Sequence, residues 1–88
     1  MAWTIEYSAT ATRELRKLDQ TTRRRLRELL YDRVALLDDP RALGKPLTGP
    51  LSGYWTYRVG DYRVICEIQD RRVVILVLRI GNRRDVYR

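Results

Sequence analysis

Trp3-Thr4-Ile5-Glu6-Tyr7 alternates large apolar side chains with polar ones, the period of two that turns one face of an extended strand toward a core. Ser8 follows with a hydroxyl suited to capping a helix, and Ala11, Leu15 and Leu18 then recur three and four residues apart. That spacing predicts a first helix beginning after Ser8. A second helix is predicted from near Thr21 or Thr22, with an apolar stripe through Leu26, Leu29, Leu30, Val34 and Leu37, until Asp38-Asp39-Pro40 stops it. Only Asp19-Gln20 or so separates the two, which predicts an antiparallel helical hairpin.

Between Pro40 and Gly53 fall Pro40, Gly44, Pro46, Gly49, Pro50 and Gly53, so an irregular connection with no regular element is expected there. Tyr54–Val59 and Tyr62–Ile68 then alternate on either side of Gly60-Asp61, the pattern of a β-hairpin closed by a two-residue turn. Gln69-Asp70-Arg71 turns the chain into Val73–Ile80, which is apolar on both faces and so is expected to be a central strand covered on both sides. The order reads βααβββ. This is an α+β fold, a two-helix antiparallel hairpin packed on a small, mainly antiparallel sheet. Residues 1–88 contain no repeat and no shift in composition, so they read as a single domain, large enough for one core.

Composition then excludes several kinds of chemistry. At 44% hydrophobic and 33% charged residues the chain has the make-up of a folded domain. No apolar run approaches the ~20 residues that span a bilayer, and Met1-Ala2-Trp3-Thr4-Ile5-Glu6 lacks a secretory pattern, so a cytoplasmic protein with no membrane partner is expected. Cys66 is the single cysteine and histidine is absent, which leaves no zinc set and no Cys/His pair; Cys66 reads as a small core residue. The acidic residues form no paired-carboxylate motif, so neither a metal nor a cofactor is expected. The net charge is +7, and of 18 basic residues all but Lys17 and Lys45 are arginine. Arginine offers a planar, permanently charged fork that binds phosphate through two hydrogen bonds, so the bias points to a phosphate-bearing polyanion.

Position narrows this further. Alternation puts Thr56 and Arg58 on one face of the hairpin's first strand and Arg63, Ile65 and Glu67 on one face of its second. The two-residue turn sets Arg58 and Arg63 directly or diagonally across from one another, where like charges repel, so the pair either fans into solvent or is held for an anion. Gly81-Asn82-Arg83-Arg84 leaves the last strand and brings Arg83 and Tyr87 toward the same end of the sheet. Arg23-Arg24-Arg25-Leu26-Arg27 places four charges around one helical turn, either a solvated face or a track for RNA phosphates. Tyr31, Trp55 and Tyr57 read as core or partner-contacting aromatics.

Two stretches, Leu51-Ser52-Gly53-Tyr54-Trp55-Thr56-Tyr57-Arg58-Val59-Gly60-Asp61-Tyr62-Arg63-Val64-Ile65 and Arg79-Ile80-Gly81-Asn82-Arg83-Arg84-Asp85-Val86-Tyr87, resemble the RelE/ParE toxin superfamily in its RelE branch. The resemblance extends over essentially the whole chain, and the Gly-Asp-Tyr-Arg turn and Gly-x-Arg-Arg-x-Val-Tyr ending are its most specific parts. It implies a toxin of a type II toxin–antitoxin system, an endoribonuclease that enters the ribosomal A site, cuts the messenger there, and is silenced in a hetero-oligomer with a RelB-like antitoxin. By position, Arg63 and Arg83 match arginines that grip the phosphate, Arg58 matches a basic residue beside them, and Tyr87 matches a tyrosine that stacks on or orients a base. Arg23, Arg24, Arg27, Arg84 and Lys45 are the further cations expected to contact RNA. The chain departs from the pattern at Thr56, where some members carry a lysine, and it ends at Arg88 without their extra C-terminal helix, so the sheet face opposite the helices is expected to be less covered. A ParE-like inhibitor of DNA gyrase and a non-enzymatic nucleic-acid-binding module remain the alternative readings.

Overall fold

Two short polar side chains start the helices, and a computed structural model describing residues 2–84 shows how. The first strand, β1 (Thr4–Tyr7), runs into Ser8, whose hydroxyl accepts from the Ala11 N–H at 3.0 Å and donates to the Leu78 carbonyl at 2.9 Å. One residue thus caps α1 (Ala9–Arg16) and ties it to the last strand. The cap of α2 (Gln20–Asp32) is Asp19, which accepts from the Thr22 N–H at 3.2 Å. Hydrogen bonds from the Thr22 hydroxyl and N–H hold its carboxyl below the usual carboxylate range. The helix therefore begins before Thr21, because aspartate rather than either threonine supplies the cap.

The stripe expected to continue to Leu37 breaks at Asp32. Val34–Leu36 forms a tight 3-10 turn that keeps Val34 and Ala35 buried but leaves Leu36 62% exposed. Leaving the helix axis there lets the Ala35 carbonyl accept from the Trp3 N–H at 2.7 Å, beside the start of β1.

The connection from Pro40 to Gly53 is also more regular than expected. Besides 3-10 turns at Pro40–Leu43 and Gly49–Leu51 it contains a two-residue strand, β2 (Lys45–Pro46). β3 (Trp55–Val59), β4 (Tyr62–Gln69) and β5 (Val74–Asn82) complete a sheet of order β1-β5-β4-β3-β2, one strand more than the pattern predicted. β1 is parallel to β5 and the remaining pairs are antiparallel. Pro46, which has no N–H to donate, is tolerated because β2 lies at the sheet edge.

The buried Tyr57 positions this edge strand. Its hydroxyl donates to the Pro40 carbonyl at 2.7 Å, and its ring packs closely against Gly44, where an added Cβ would crowd it at 3.1 Å. Burial raises the phenol's pKa, so it stays a neutral donor. Tyr57→Phe is expected to lower the urea midpoint, with a loss of about 1–2 kcal/mol from the stranded carbonyl and an unchanged denaturant slope.

Ala11, Leu18, Leu26 and Leu30 from the helices meet Tyr57, Val59, Val64, Cys66, Ile75, Val77 and Ile80 from the sheet. Cys66 is a core residue as expected, and burial pushes its thiol pKa upward. Val77 and Ile80 both face this core although three residues apart, because β5 carries a bulge opposite Ile65 and Cys66. β5 is an inner strand, between β1 and β4, but both helices lie on one face of it. The opposite face carries the buried Ile65 and Val74 together with the polar side chains of the hairpin. Arg41 braces the far end, with two hydrogen bonds to Asp70 at 3.1 and 2.7 Å, one to Asp39 at 3.2 Å, and its guanidinium 5.8 Å from the centre of the Trp55 ring. The same guanidinium holds the Asp70 carboxyl below its usual range. No helix among the described residues is long and apolar enough to cross a membrane.

Candidate phosphate-binding face

The Gly60-Asp61 turn fixes the register of the hairpin. Gly60 takes a positive φ of 57°, which a glycine adopts without strain, and Val59 pairs with Tyr62 across the two turn residues. Arg58 therefore lies directly opposite Arg63, two rungs further in Thr56 lies opposite Ile65, and Lys45 of β2 lies opposite Thr56. Directly paired residues share a face. Since Tyr57, Val59 and Val64 enter the core, Lys45, Thr56, Arg58 and Arg63 stand on the face turned away from the helices.

These four, with Leu43 and Tyr57, line a cavity of about 150 Å³. Its electrostatics are one-sided. Four arginines elsewhere find acids, Arg24 with Glu28, Arg41 with Asp39 and Asp70, Arg72 with Glu6 and Arg79 with Glu14, while others such as Arg23, Arg25 and Arg33 join no ion pair among the described residues. Among the described residues no ion pair includes Lys45, Arg58, Arg63, Arg83 or Arg84. Two guanidinium groups set directly across a ladder repel, and no carboxylate lines their cavity to offset this. Gly81, opposite Arg63, has no side chain to crowd that guanidinium, whose one hydrogen bond among the described residues is a long 3.4 Å bond to the Tyr62 carbonyl. The Thr56 hydroxyl is buried and meets no hydrogen-bond partner among the described residues.

Arg83 continues the β4–β5 ladder by one rung, its N–H donating to the Asp61 carbonyl at 3.0 Å. It is thus the diagonal neighbour of Arg63, about 7–8 Å away between backbones. Its side chain lines a different cavity, of about 530 Å³, with Arg84, Asn82 and Asp61. The structure therefore gathers Lys45, Arg58 and Arg63 in one cavity and sets Arg83 and Arg84 in another beside the same hairpin turn. Tyr87 lies outside the described residues. Arg23, Arg24 and Arg27 line a third cavity with Gln20 and Thr21 on α2, in the helical layer and so across the sheet from Arg58 and Arg63.

Two features escaped the sequence pattern. Asp61, which reads as a turn residue, is the one carboxylate lining either sheet cavity among the described residues. Lys45, one of the cations expected to contact RNA, lies in a segment expected to be irregular, and only the unexpected pairing of β2 with β3 places it beside Thr56. Neither position carries a local signal, since both depend on contacts distant in sequence.

Residues 5–87 match the family model of the ParE toxin of the type II toxin–antitoxin system parDE. The chain is 32% identical over 88 residues to toxin RelG of Mycobacterium tuberculosis, covering 100% of this chain and 99% of that one. It is also 32% identical over 90 residues to the mRNA interferase toxin RelE of Escherichia coli, covering 99% of this chain and 92% of the relative. Among solved structures, the toxin–antitoxin complex RelBE2 from Mycobacterium tuberculosis contains a chain that superposes with a TM-score of 0.83 at 29% identity, over 97% of this chain and 95% of that one.

Proposed function

The chain belongs to the RelE/ParE toxin superfamily, and from that premise we propose that it is the toxin of a type II toxin–antitoxin system that cleaves messenger RNA on the ribosome. The observation that carries the reading is the set of cations on the open sheet face, Lys45, Arg58 and Arg63, unpaired with acids among the described residues and sharing one cavity. The full-length similarity to an mRNA interferase supports it.

In this reading the RNA supplies its own nucleophile. The 2′-oxygen attacks the adjacent phosphorus as its proton passes to a base, the P–O5′ bond breaks, and the departing 5′-oxygen is protonated. Charge accumulates on the non-bridging oxygens, and fixed guanidinium groups stabilise it more in the transition state than in the ground state. Arg58 and Arg63 take that role, Arg83 reaches the same RNA from the end of the ladder, and Tyr87 stacks on or orients a base. Guanidinium groups carry the charge in this reading, in a chain that has no histidine and whose basic residues are arginine at all but two positions. Arg84 flanks the site, while Arg23, Arg24 and Arg27 of α2 contact ribosomal RNA from the opposite side, in the cytoplasm where translation occurs.

The partner that silences the protein is an antitoxin. The RelBE2 complex of the Mycobacterium tuberculosis relative supports this, and a chain of charge +7 suits a partner segment of opposite sign.

Primer extension on messenger bound to programmed ribosomes tests the proposal. Cuts in register with codons are expected, and free messenger is expected to remain intact. Intact ribosome-bound messenger accompanied by inhibited DNA gyrase would replace this reading with the ParE-like one, and RNA binding without cuts would replace it with a non-enzymatic module.

A further inference from the structure

Thr56 leaves a gap in the cationic face. It supplies an uncharged wall to a cavity whose charged walls are the exposed Lys45 and Arg58 and the half-buried Arg63, and its hydroxyl is buried without a hydrogen-bond partner among the described residues. Directly across the ladder from it stands Lys45, exposed and outside every ion pair among the described residues. Arg58 is the diagonal neighbour of Lys45, about 7–8 Å away between backbones, a separation that long side chains close. One phosphate group can therefore touch the ammonium group of Lys45 and the guanidinium groups of Arg58 and Arg63 together.

We propose that Lys45 is a catalytic residue of this face, its ammonium group bound to the non-bridging oxygens of the phosphate under attack alongside Arg58 and Arg63. The inference rests on the reading of the face as the site of RNA cleavage. Lys45 neither gains nor loses a proton in this role: it offsets the charge that develops as the 2′-oxygen bonds to phosphorus and the P–O5′ bond breaks. An ammonium group suits the edge of the sheet, because it is a point charge with three donors on a flexible stem and makes no planar demand on its ligand.

The fold holds Lys45 in place from both ends of its two-residue strand. On one side the Gly44 N–H donates to the Arg41 carbonyl at 3.1 Å, and Gly44 lies against the Tyr57 ring. On the other the Leu47 N–H donates to the Tyr54 carbonyl at 3.0 Å. Tyr57, reaching Pro40 from within the core, thus determines where Lys45 stands on the opposite face. Lys17, the second lysine of the chain, caps the C-terminus of α1 in the helical layer and cannot substitute for it.

The test is single-turnover cleavage of messenger on programmed ribosomes by the full chain. Lys45→Met is expected to lower the rate at saturating ribosome by about tenfold to a hundredfold, with the melting temperature unchanged. Lys45→Arg should keep the rate within about threefold of the parent, and Lys45→Met combined with Thr56→Lys, which returns a charge to the same rung from the neighbouring strand, should recover much of the loss. Recovery by either change supports the proposal, since a purely structural role for Lys45 predicts none from Thr56→Lys. The proposal is overturned if Lys45→Met cleaves at the parent rate, if its defect lies wholly in KM and vanishes at low salt, or if neither change restores the rate. Should the parent chain itself leave ribosome-bound messenger intact, the cleavage reading fails first, and that outcome is distinct from all three.

Discussion

Arg63→Ala lowers messenger cleavage by about a hundredfold to a thousandfold while leaving the protein as stable as before, or slightly more stable. The two halves of this expectation have a single cause. Arg63 sits directly opposite Arg58 on the ladder, has no carboxylate in its cavity, and makes one long hydrogen bond to its neighbour's carbonyl. Folding therefore gains little from its charge and bears some repulsion, of the order of 0.2–1 kcal/mol for a directly opposed pair. The transition state gains from it, since two converging guanidinium groups meet an anion whose charge increases during the reaction.

Arg41 supplies the contrasting case. Its guanidinium joins Asp39, Asp70 and the Trp55 ring, so Arg41→Ala should lower the melting temperature and affect cleavage only as far as folding is affected. Thermal melts and single-turnover rates on the two variants separate the roles. If Arg63→Ala melted well below the parent, or cleaved at the parent rate, the assignment of Arg63 to phosphate would be wrong.

The contrast between these arginines also shows what a one-dimensional pattern reveals. Arg58 and Arg63 were legible because their pairing follows from a two-residue turn and strict alternation, both local properties of Tyr54–Ile68. Ser8 was legible as a cap for the same reason, and the stripe through Leu26 and Leu30 marked the face α2 buries. Elements that depend on distant contacts were not. β2 pairs with β3 beside Tyr57, which reaches Pro40 and packs closely against Gly44, so a segment rich in Pro and Gly still contributes an edge strand. The bulge in β5 leaves no trace in Val-Ile-Leu-Val-Leu, where every position is apolar and a slip of one residue changes nothing in the pattern. Among basic residues the pattern also cannot separate those with an acid waiting elsewhere in the fold from those without. Arg79 and Arg83 read alike, yet Arg79 is held by Glu14, 65 residues away, whereas Arg83 lines an open cavity.

That same Glu14 carries the largest expected effect on stability. β1 covers β5 only as far as Val77, and beyond it no strand among the described residues pairs with that edge of β5. Glu14 reaches down from α1 to close the gap, accepting from the Ile80 N–H at 2.8 Å and from the Arg79 guanidinium at 3.2 and 3.3 Å. One carboxylate thereby satisfies a backbone donor, neutralises a charge, and fastens helix to sheet. Glu14→Ala removes all three and strands the Ile80 N–H; allowing for the partial exposure of Arg79, the expected loss is about 2–3 kcal/mol, a fall in melting temperature of roughly 10–20 °C. Glu6 provides the control. Its pair with Arg72 is exposed, so Glu6→Ala should change stability by less than about 0.5 kcal/mol. Because β5 ends at Asn82 and delivers Arg83 to the hairpin turn, freeing the strand edge at Ile80 should also slow cleavage, and Glu14→Gln, which can still accept from the Ile80 N–H, should recover part of both losses. Equal melting temperatures for Glu14→Ala and Glu6→Ala would show that the open edge of β5 is closed by something other than this carboxylate.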